Sequence, residues 1–378
     1  MPTPGPLDGL LVVDLSRVLA GPFATMLLAD LGARVVKIER PGTGDDSRAY
    51  GPFADGRSLY FARVNRGKES ITADLKSPGG RALLDALLDR ADVFVENFRP
   101  GVMERLGYGP GTLMQRWPSL IALSLSGFGH SGPWSGRPAY DTVVQGMSGL
   151  MSITGSADGE PTKPGTSIAD LSAGLYGAIA ILSAVHERSR TGKGQHLDVA
   201  MFDATVSLLE GAALNFLATG KAPGRIGNAH FGIAPFDTFR CADRAITICA
   251  ANDVLFESLL NVLGAPETAN DERFVTNAMR LEHRDELKQL IEGLLATEAA
   301  ASWLDRLAAA GVPSGPVMDV AEAISSPQTE ARRMVVRAGG LPLPGTPIKS
   351  SAHPDPTERP PAPDLDADGA AIRDWLGL

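Results

Sequence analysis

The feature that most constrains this chain is the alternation of short, β-rich apolar runs with helical segments. Leu10–Leu15 is such a run, and the stretch after it carries Pro22 near a helix start and Gly32 at its end. Val35–Glu39 is a second run, Ser77-Pro78 opens a helical pattern through Leu88, and Val93–Val95 and Leu120–Leu125 continue the series. Strands alternating with helices predict an α/β fold with a mostly parallel, helix-covered sheet. Ligands in such folds bind beyond the carboxyl ends of the strands.

Further along, His196–Ala200 predicts a strand leading into a helical pattern that ends near Gly220, and a linker is expected around 220–230. Phe236–Phe239 and Ala245–Ala250 resemble a paired β unit, followed by amphipathic helices at 254–263, 283–296 and 299–310. A smaller α+β domain is expected there. Between Leu341 and Pro363, eight of 23 residues are proline, which predicts an extended strap rather than a packed element. Two glycine-rich passages, 127–139 and Gly155–Gly165, read as site-forming loops.

Charge and composition then exclude whole classes. With 35 Lys and Arg against 44 Asp and Glu, the formal charge of −9 argues against a generic polyanion binder, so nucleic acid is not an expected partner. The 44% hydrophobic content fills substantial cores in a chain of 378 residues. Only Cys241 and Cys249 occur, too few for a disulfide framework or a four-cysteine zinc site, so a reducing cytoplasm is expected. No basic segment precedes an apolar one in Met1–Asp8, and Asp14 interrupts the first apolar run, which argues against an exported precursor. Leu171–Val185 is shorter than the ~20 apolar residues a bilayer span requires, so no membrane association is expected.

Most motifs with a known chemistry fail on their surroundings. Gly127-x-Gly129-x-x-Gly132 follows a strand but runs into Pro133 and Pro138 where a phosphate-binding helix belongs. Gly67-Lys68 and Gly220-Lys221 lack the rest of a P-loop, His186-Glu187 lacks the second histidine of a zincin, and no Gly-x-Ser-x-Gly elbow exists. What remains is Asp170, set between the glycine-rich loop and a helix of small residues. Ser167-x-x-Asp170 fits a helix capping box, in which the acid accepts backbone N–H groups. Alternatively, the loop exposes the carboxylate as a covalent nucleophile, with Gly174 and Gly177 allowing close approach to the helix.

Several segments together resemble the family III CoA-transferases, the CaiB/BaiF type, over nearly the whole chain. They are Arg17–Ala24, Val36–Gly42, Val95–Phe98 with Pro100-Gly101, Gly165–Gly174 and Gly192–Gln195. The resemblance implies that Asp170 is the nucleophile that carries the acyl group and then CoA. It also separates transferases from the family's α-methylacyl-CoA racemases, which carry a histidine where Tyr140 stands and a glutamate near Asn252. Tyr140 matches the transferases and is expected to position the acyl group.

By the same resemblance, Arg40, Lys76, Asn97, Phe98, Arg105, Ala73 and Met201 are expected around CoA, which enters as thioester substrate and product; neither a prosthetic group nor a metal is implied. The missing glycine tetrad of formyl-CoA transferases, replaced by Gly227–Phe236, speaks against formyl-CoA and oxalate and for the succinyl-CoA:glutarate branch. His230 and Arg17 are then candidates for a distal carboxylate. The implied architecture is a Rossmann-like large domain from 1–220 with 330–378, a linker and small α+β domain at 221–329, and an interlocked homodimer. Racemisation and a non-catalytic CoA-binding module, with Asp170 as a cap, are the competing readings.

Overall fold

The computed structural model describes residues 5–378; residues 1–4, which begin the N-terminal stretch considered above, lie outside the described residues. The chain forms two compact units. The larger runs through Met151 and includes Lys163–Ala222 and Pro327–Leu378; the smaller comprises Ser152–Thr162 and Pro223–Ser326. Residues 152–162, assigned to the large domain by the sequence reading, thus belong to the smaller unit.

In the larger unit, strands β1 (Leu11–Asp14), β2 (Arg34–Glu39), β3 (Glu69–Thr72), β4 (Val93–Glu96), β5 (Ile121–Ser126) and β6 (Gln195–Ala200) form one parallel sheet. Their order is 3-2-1-4-5-6. Val12 pairs with Val35 on one side and Val93 on the other, and all three are buried. Strand order reverses between β1 and β4, which opens a crevice at their carboxyl ends where ligands of such sheets bind.

Local chemistry fixes the helices. Ser77 Oγ accepts the Gly80 N–H at 3.0 Å and Pro78 occupies the first turn, starting the Pro78–Leu88 helix where the sequence places it. The helix expected around Leu171–Val185 runs for 24 residues, Ile168–Thr191. It is long and apolar enough to cross a membrane by length and composition. Its Ala169, Ala173, Ile181 and Ala184 share the core that holds Val12 and Leu123. A Cβ added at Gly174 would meet the Ala20 carbonyl oxygen at 2.8 Å, and one at Gly177 would meet Leu123 Cδ2 at 2.9 Å. These two glycines let the long helix lie against the Ala20–Asp30 helix and the sheet.

The proline-rich stretch is not a bare strap. Leu341–Pro344 pairs antiparallel with Val335–Ala338, placing Pro342 opposite Arg337 and Pro344 opposite Val335. Leu341–Pro344 is the edge strand of a three-stranded sheet, the position where missing N–H donors are tolerated. Beyond it, Asp368 accepts the Ser70 N–H at 2.9 Å and Asp366 the Thr72 N–H at 2.6 Å, so the C-terminal segment caps the free edge of β3. In the smaller unit, Phe236–Arg240 and Ala245–Cys249 pair as an antiparallel hairpin joined by Ser314–Pro316. Helices Asp253–Leu263, Arg284–Leu295 and Ala300–Ala309 bury Phe256, Ile291 and Trp303 beside it.

Candidate active site

The carboxyl end of β1 carries a buried ionic network. The side chains of Asp14, Lys37 and Lys68 are fully buried. Lys68 Nζ donates to Asp14 at 2.9 Å, to the Pro22 carbonyl at 3.0 Å and to Asn65 Oδ1 at 2.8 Å. Lys37 Nζ donates to the Ser16 carbonyl at 2.6 Å and pairs with Asp45 at 3.0 Å. Burial opposes the charge on Asp14, but Lys68 and Lys37 hold its carboxyl well below the usual carboxylate range. Burial pulls the Lys68 ammonium down to about 8 against the attraction of Asp14.

This network fixes the turn from Ser16 to Leu19. Val18 adopts φ +67°, a left-handed conformation that a β-branched residue rarely takes, and its N–H is held by Asp45 at 3.1 Å. From the neighbouring strand, Asn97 Oδ1 accepts the Arg17 N–H and its Nδ2 donates to the Arg17 carbonyl, both at 2.8 Å. The Asn97 side chain is therefore a clamp on the turn.

In front of the turn lies a cavity of about 740 Å³, walled by Arg17, Arg40, Ala73, Lys76 and Phe98. Five residues singled out from the sequence meet here. Arg17 and Arg40 flank Asp46 at 2.8 and 2.6 Å, and Lys76 is exposed at the rim. The same walls carry Lys37, Glu39, Asp45 and Asp74, so charges of both signs line the cavity, with Arg40 and Lys76 its exposed cations. Arg105 stays outside the walls, although Val102 and Leu106 of its own helix contribute. Met201, expected near CoA, packs in the apolar core with Ala204, Phe128 and Val144.

Asp170 stands in the first turn of the long helix, yet it does not cap it. Ser167 makes no side-chain cap, and Asp141 Oδ1 instead accepts the N–H groups of Ala169 at 3.0 Å and Asp170 at 3.4 Å. Gln145 Nε2 holds the other Asp141 oxygen at 2.6 Å. Among the described residues, no donor lies within hydrogen-bonding distance of the Asp170 carboxylate. Its carboxyl is pushed up to about 7, first by burial and then by the Asp141 charge, with Arg63 opposing.

Tyr60 lies within electrostatic reach of this acid. Tyr50 and Tyr60 meet edge to face at 5.5 Å, and the Arg63 guanidinium sits 4.3 Å from the Tyr60 ring centroid. Tyr140, next to Asp141, is 74% exposed and lies near enough to Tyr50 to help raise its phenol, after burial and Asp46. Tyr50, Tyr60, Arg63 and the capping role of Asp141 escaped the sequence reading. The available signal was Tyr60-x-x-Arg63, one turn apart on the short Leu59–Asn65 helix.

Other singled-out features have partners within the fold. The 127–139 loop is closed at its base, because a Cβ on Gly127 would meet Ala139 Cβ at 2.2 Å. His130 N–H bonds Asp198 at 2.8 Å, and Trp134 packs edge to face on Phe128 and Phe202. His230 lies in the smaller unit, its ring stacked 4.7 Å from Phe231 and its Nδ1 accepting the Gly232 N–H at 3.0 Å. Asn252, where a racemase would carry its glutamate, caps the Asp253–Leu263 helix through Leu255 N–H at 2.9 Å. Among the described residues, no three His, Cys, Asp or Glu side chains converge on a metal position.

A 3-2-1-4-5-6 parallel sheet with a cavity at its switch point is a Rossmann-like α/β architecture. Comparison narrows the class: residues 7–369 match the model of CoA-transferase family III, and the chain belongs to that family as a CoA-transferase. It is 54% identical to the acetyl-CoA:oxalate CoA-transferase of Acetobacter aceti, over 98% of this chain and 95% of that protein. It is 41% identical to the succinate–glutarate CoA-transferase of Agrobacterium fabrum, over 94% and 92% of the two chains. A CaiB/BaiF family crystal structure from Brucella suis superposes with a TM-score of 0.88 at 44% identity, covering 98% of this chain and 99% of that one.

Proposed function

We propose that this enzyme moves CoA from an acyl-CoA, such as acetyl-CoA or succinyl-CoA, to a dicarboxylic acid, with Asp170 as covalent nucleophile. The observation that carries the proposal is the division of labour between two acids. Asp141 takes the helix amides, which leaves the Asp170 carboxylate free beside Tyr60 and Arg63.

In this scheme Asp170 attacks the donor thioester carbonyl, the C–S bond breaks, and CoA leaves as thiolate from a mixed anhydride. The thiolate attacks the aspartyl carbonyl, releasing the donor carboxylate and loading Asp170 as a thioester. An acceptor carboxylate then displaces thiolate to form a second anhydride. Thiolate finally attacks the acceptor acyl carbon and restores Asp170. One thioester is consumed and one formed, so no separate energy source is needed. The exposed Arg40 and Lys76 of the cavity would meet the CoA phosphates, with Asn97 fixing the turn that presents Arg17.

Dicarboxylate use is supported by the names of both relatives. The expectation against oxalate, drawn from the missing glycine tetrad, is given up, because the relative sharing 54% identity is an oxalate enzyme. Racemisation loses support because Asn252 is occupied as a helix cap. A homodimer is supported by exposed Leu175 and Ile179 on the long helix and Leu214 and Leu217 after it, an apolar surface that a partner would cover. The test is intact-mass spectrometry of protein quenched with acetyl-CoA, with and without hydroxylamine. A labile adduct at Asp170 is expected. Turnover with no adduct at that position rules the mechanism out.

A further inference from the structure

Gln145 is fully buried, and the two ends of its amide are treated unequally. Its Nε2 donates to Asp141 Oδ2 at 2.6 Å and to the Thr166 carbonyl at 3.4 Å. Both neighbours are acceptors, so the amide nitrogen belongs on that side. Its Oε1 is enclosed and has no hydrogen-bond partner among the described residues. A buried acceptor left unbonded costs roughly 1–3 kcal/mol, which an apolar side chain of the same length would avoid. Packing alone therefore does not account for an amide at this position.

The fold sets that donor at a junction. Asp141 opens the Asp141–Met147 helix and Gln145 stands one turn later, so the two side chains share a face. Asp141 Oδ1 accepts the Ala169 N–H at 3.0 Å and the Asp170 N–H at 3.4 Å, and Thr166 lies just before the same helix start. One amide nitrogen thus ties the cap to the loop that leads into the helix of Asp170. Without it, a buried oxygen of Asp141 loses its donor, a penalty of roughly 1–3 kcal/mol against the roughly 0.5–2 kcal/mol that a cap is worth. Asp141 then turns off the helix or takes up a proton. In the first case the amides fall to Ser167 and Asp170, whose spacing fits a capping box; in the second the like charge beside Asp170 disappears. Both routes stabilise the Asp170 carboxylate.

We propose that Gln145 is a positioning residue for the transfer reaction: by holding Asp141 charged and seated on the helix amides, it keeps the Asp170 carboxylate uncapped and reactive. Its effect on turnover rests on Asp170 being the nucleophile; the chain of contacts does not. The other groups that act on Asp170 are independent of Gln145: Arg63 opposes its rise, and Tyr60 answers to its charge. Of the helices packed on that of Asp170, Ala20–Asp30 carries only Asp30, which pairs with Arg66. On Met201–Ser207, Asp203 answers to burial and Asp198.

The experiment uses the full-length enzyme with acetyl-CoA and succinate. Gln145→Met keeps the length and removes both polar ends, and Gln145→Asn is one methylene too short to reach Asp141. Gln145→Glu, held protonated by burial beside an acid, returns an O–H to Asp141. The inflection of kcat/KM for acetyl-CoA against pH is expected to fall by about one pH unit in Gln145→Met and Gln145→Asn, a tenfold change in proton affinity, and to recover in part in Gln145→Glu. Loss of folded enzyme lowers the rate at every pH and moves no inflection. Asp141→Asn combined with Gln145→Met should titrate no lower than Asp141→Asn alone, because Gln145 acts through Asp141.

A second measurement needs no turnover. At pH 8 Asp170→Asn removes a carboxylate that the fold disfavours and should raise the melting temperature of the wild type. In the Gln145→Met background that gain should shrink or reverse. Where the wild type loads Asp170 with the acetyl group, an unmoved inflection in both Gln145→Met and Gln145→Asn overturns the proposal. An undiminished gain from Asp170→Asn overturns it in any case. If the gain shrinks while the wild type turns over with no adduct at Asp170, the nucleophile reading fails and the hold of Gln145 on Asp141 stands.

Discussion

Asp141 caps the helix in which Asp170 resides, taking the Ala169 and Asp170 amides and leaving Asp170 outside the cap. Two acids close together then share one electrostatic environment, and only one of them is hydrogen-bonded. The unbonded acid is the one whose carboxyl rises to about 7.

The pH profile should report this pair. With Asp170 reacting as carboxylate, kcat/KM for the acyl donor rises with pH through an inflection near 7. Asp141→Asn removes the like charge and keeps an oxygen for the Ala169 amide, while its new N–H₂ can serve the unpaired Gln145 Oε1. The inflection should move to lower pH in this variant. An unmoved inflection means Asp141 does not act on Asp170.

Asp170→Asn separates nucleophile from cap through stability as well as turnover. The folded carboxyl titrates near 7 and the unfolded one near 3.8, so the folded state binds the proton more tightly between those values. Stability is therefore intact below about pH 4 and falls as pH rises to about 7. The variant should melt higher than wild type at pH 8, by roughly 1–2 kcal/mol after allowance for partial exposure, and equally at pH 4. Transfer should fall by about 10⁴ or more. A lower melting temperature at every pH would restore the capping role.

Gly174 offers a packing test away from the chemistry. A methyl group there meets backbone at 2.8 Å, which cannot rotate aside. Gly174→Ala should cost about 1–3 kcal/mol in denaturant unfolding, whereas Ala at open Gly136 should be neutral.

Lys68→Met strands Asp14 in the core and should cost about 3–5 kcal/mol. Adding Asp14→Asn to it should return part of that loss, since the neutral side chain no longer needs a counter-ion. A double variant less stable than Lys68→Met alone contradicts this account.

Asn97→Ala releases both backbone bonds to Arg17. The KM for acetyl-CoA should rise by about tenfold with a smaller change in kcat, because the clamp acts on the cavity wall. Equal loss in both parameters would place Asn97 in the chemical step.

Legibility in the sequence followed the range of the forces involved. Ser77-Pro78 announces its helix because a cap and a proline act within one turn, and the hairpin at 236–249 shows as two adjacent runs. Strand order does not show, because Val12 looks alike whether its neighbours are Val35 and Val93 or others. The proline strap misled because proline forbids a central strand but not an edge. Gly67-Lys68 read only as a failed phosphate loop, while Lys68 is a buried counter-ion to Asp14, 54 positions away. Asp170 stood out by resemblance; its release from capping depends on Asp141, which no local pattern links to it.

The acidic cap on β3 bears on how the protein is made. The outermost strand of the main sheet leaves the ribosome roughly 300 residues before Asp366 and Asp368 arrive to occupy its amides. Throughout that interval the strand offers bare donors to any extended chain nearby, its own siblings included. Nascent chains stalled short of residue 366 should therefore be prone to sticking together, and chaperone demand should be greatest late in synthesis.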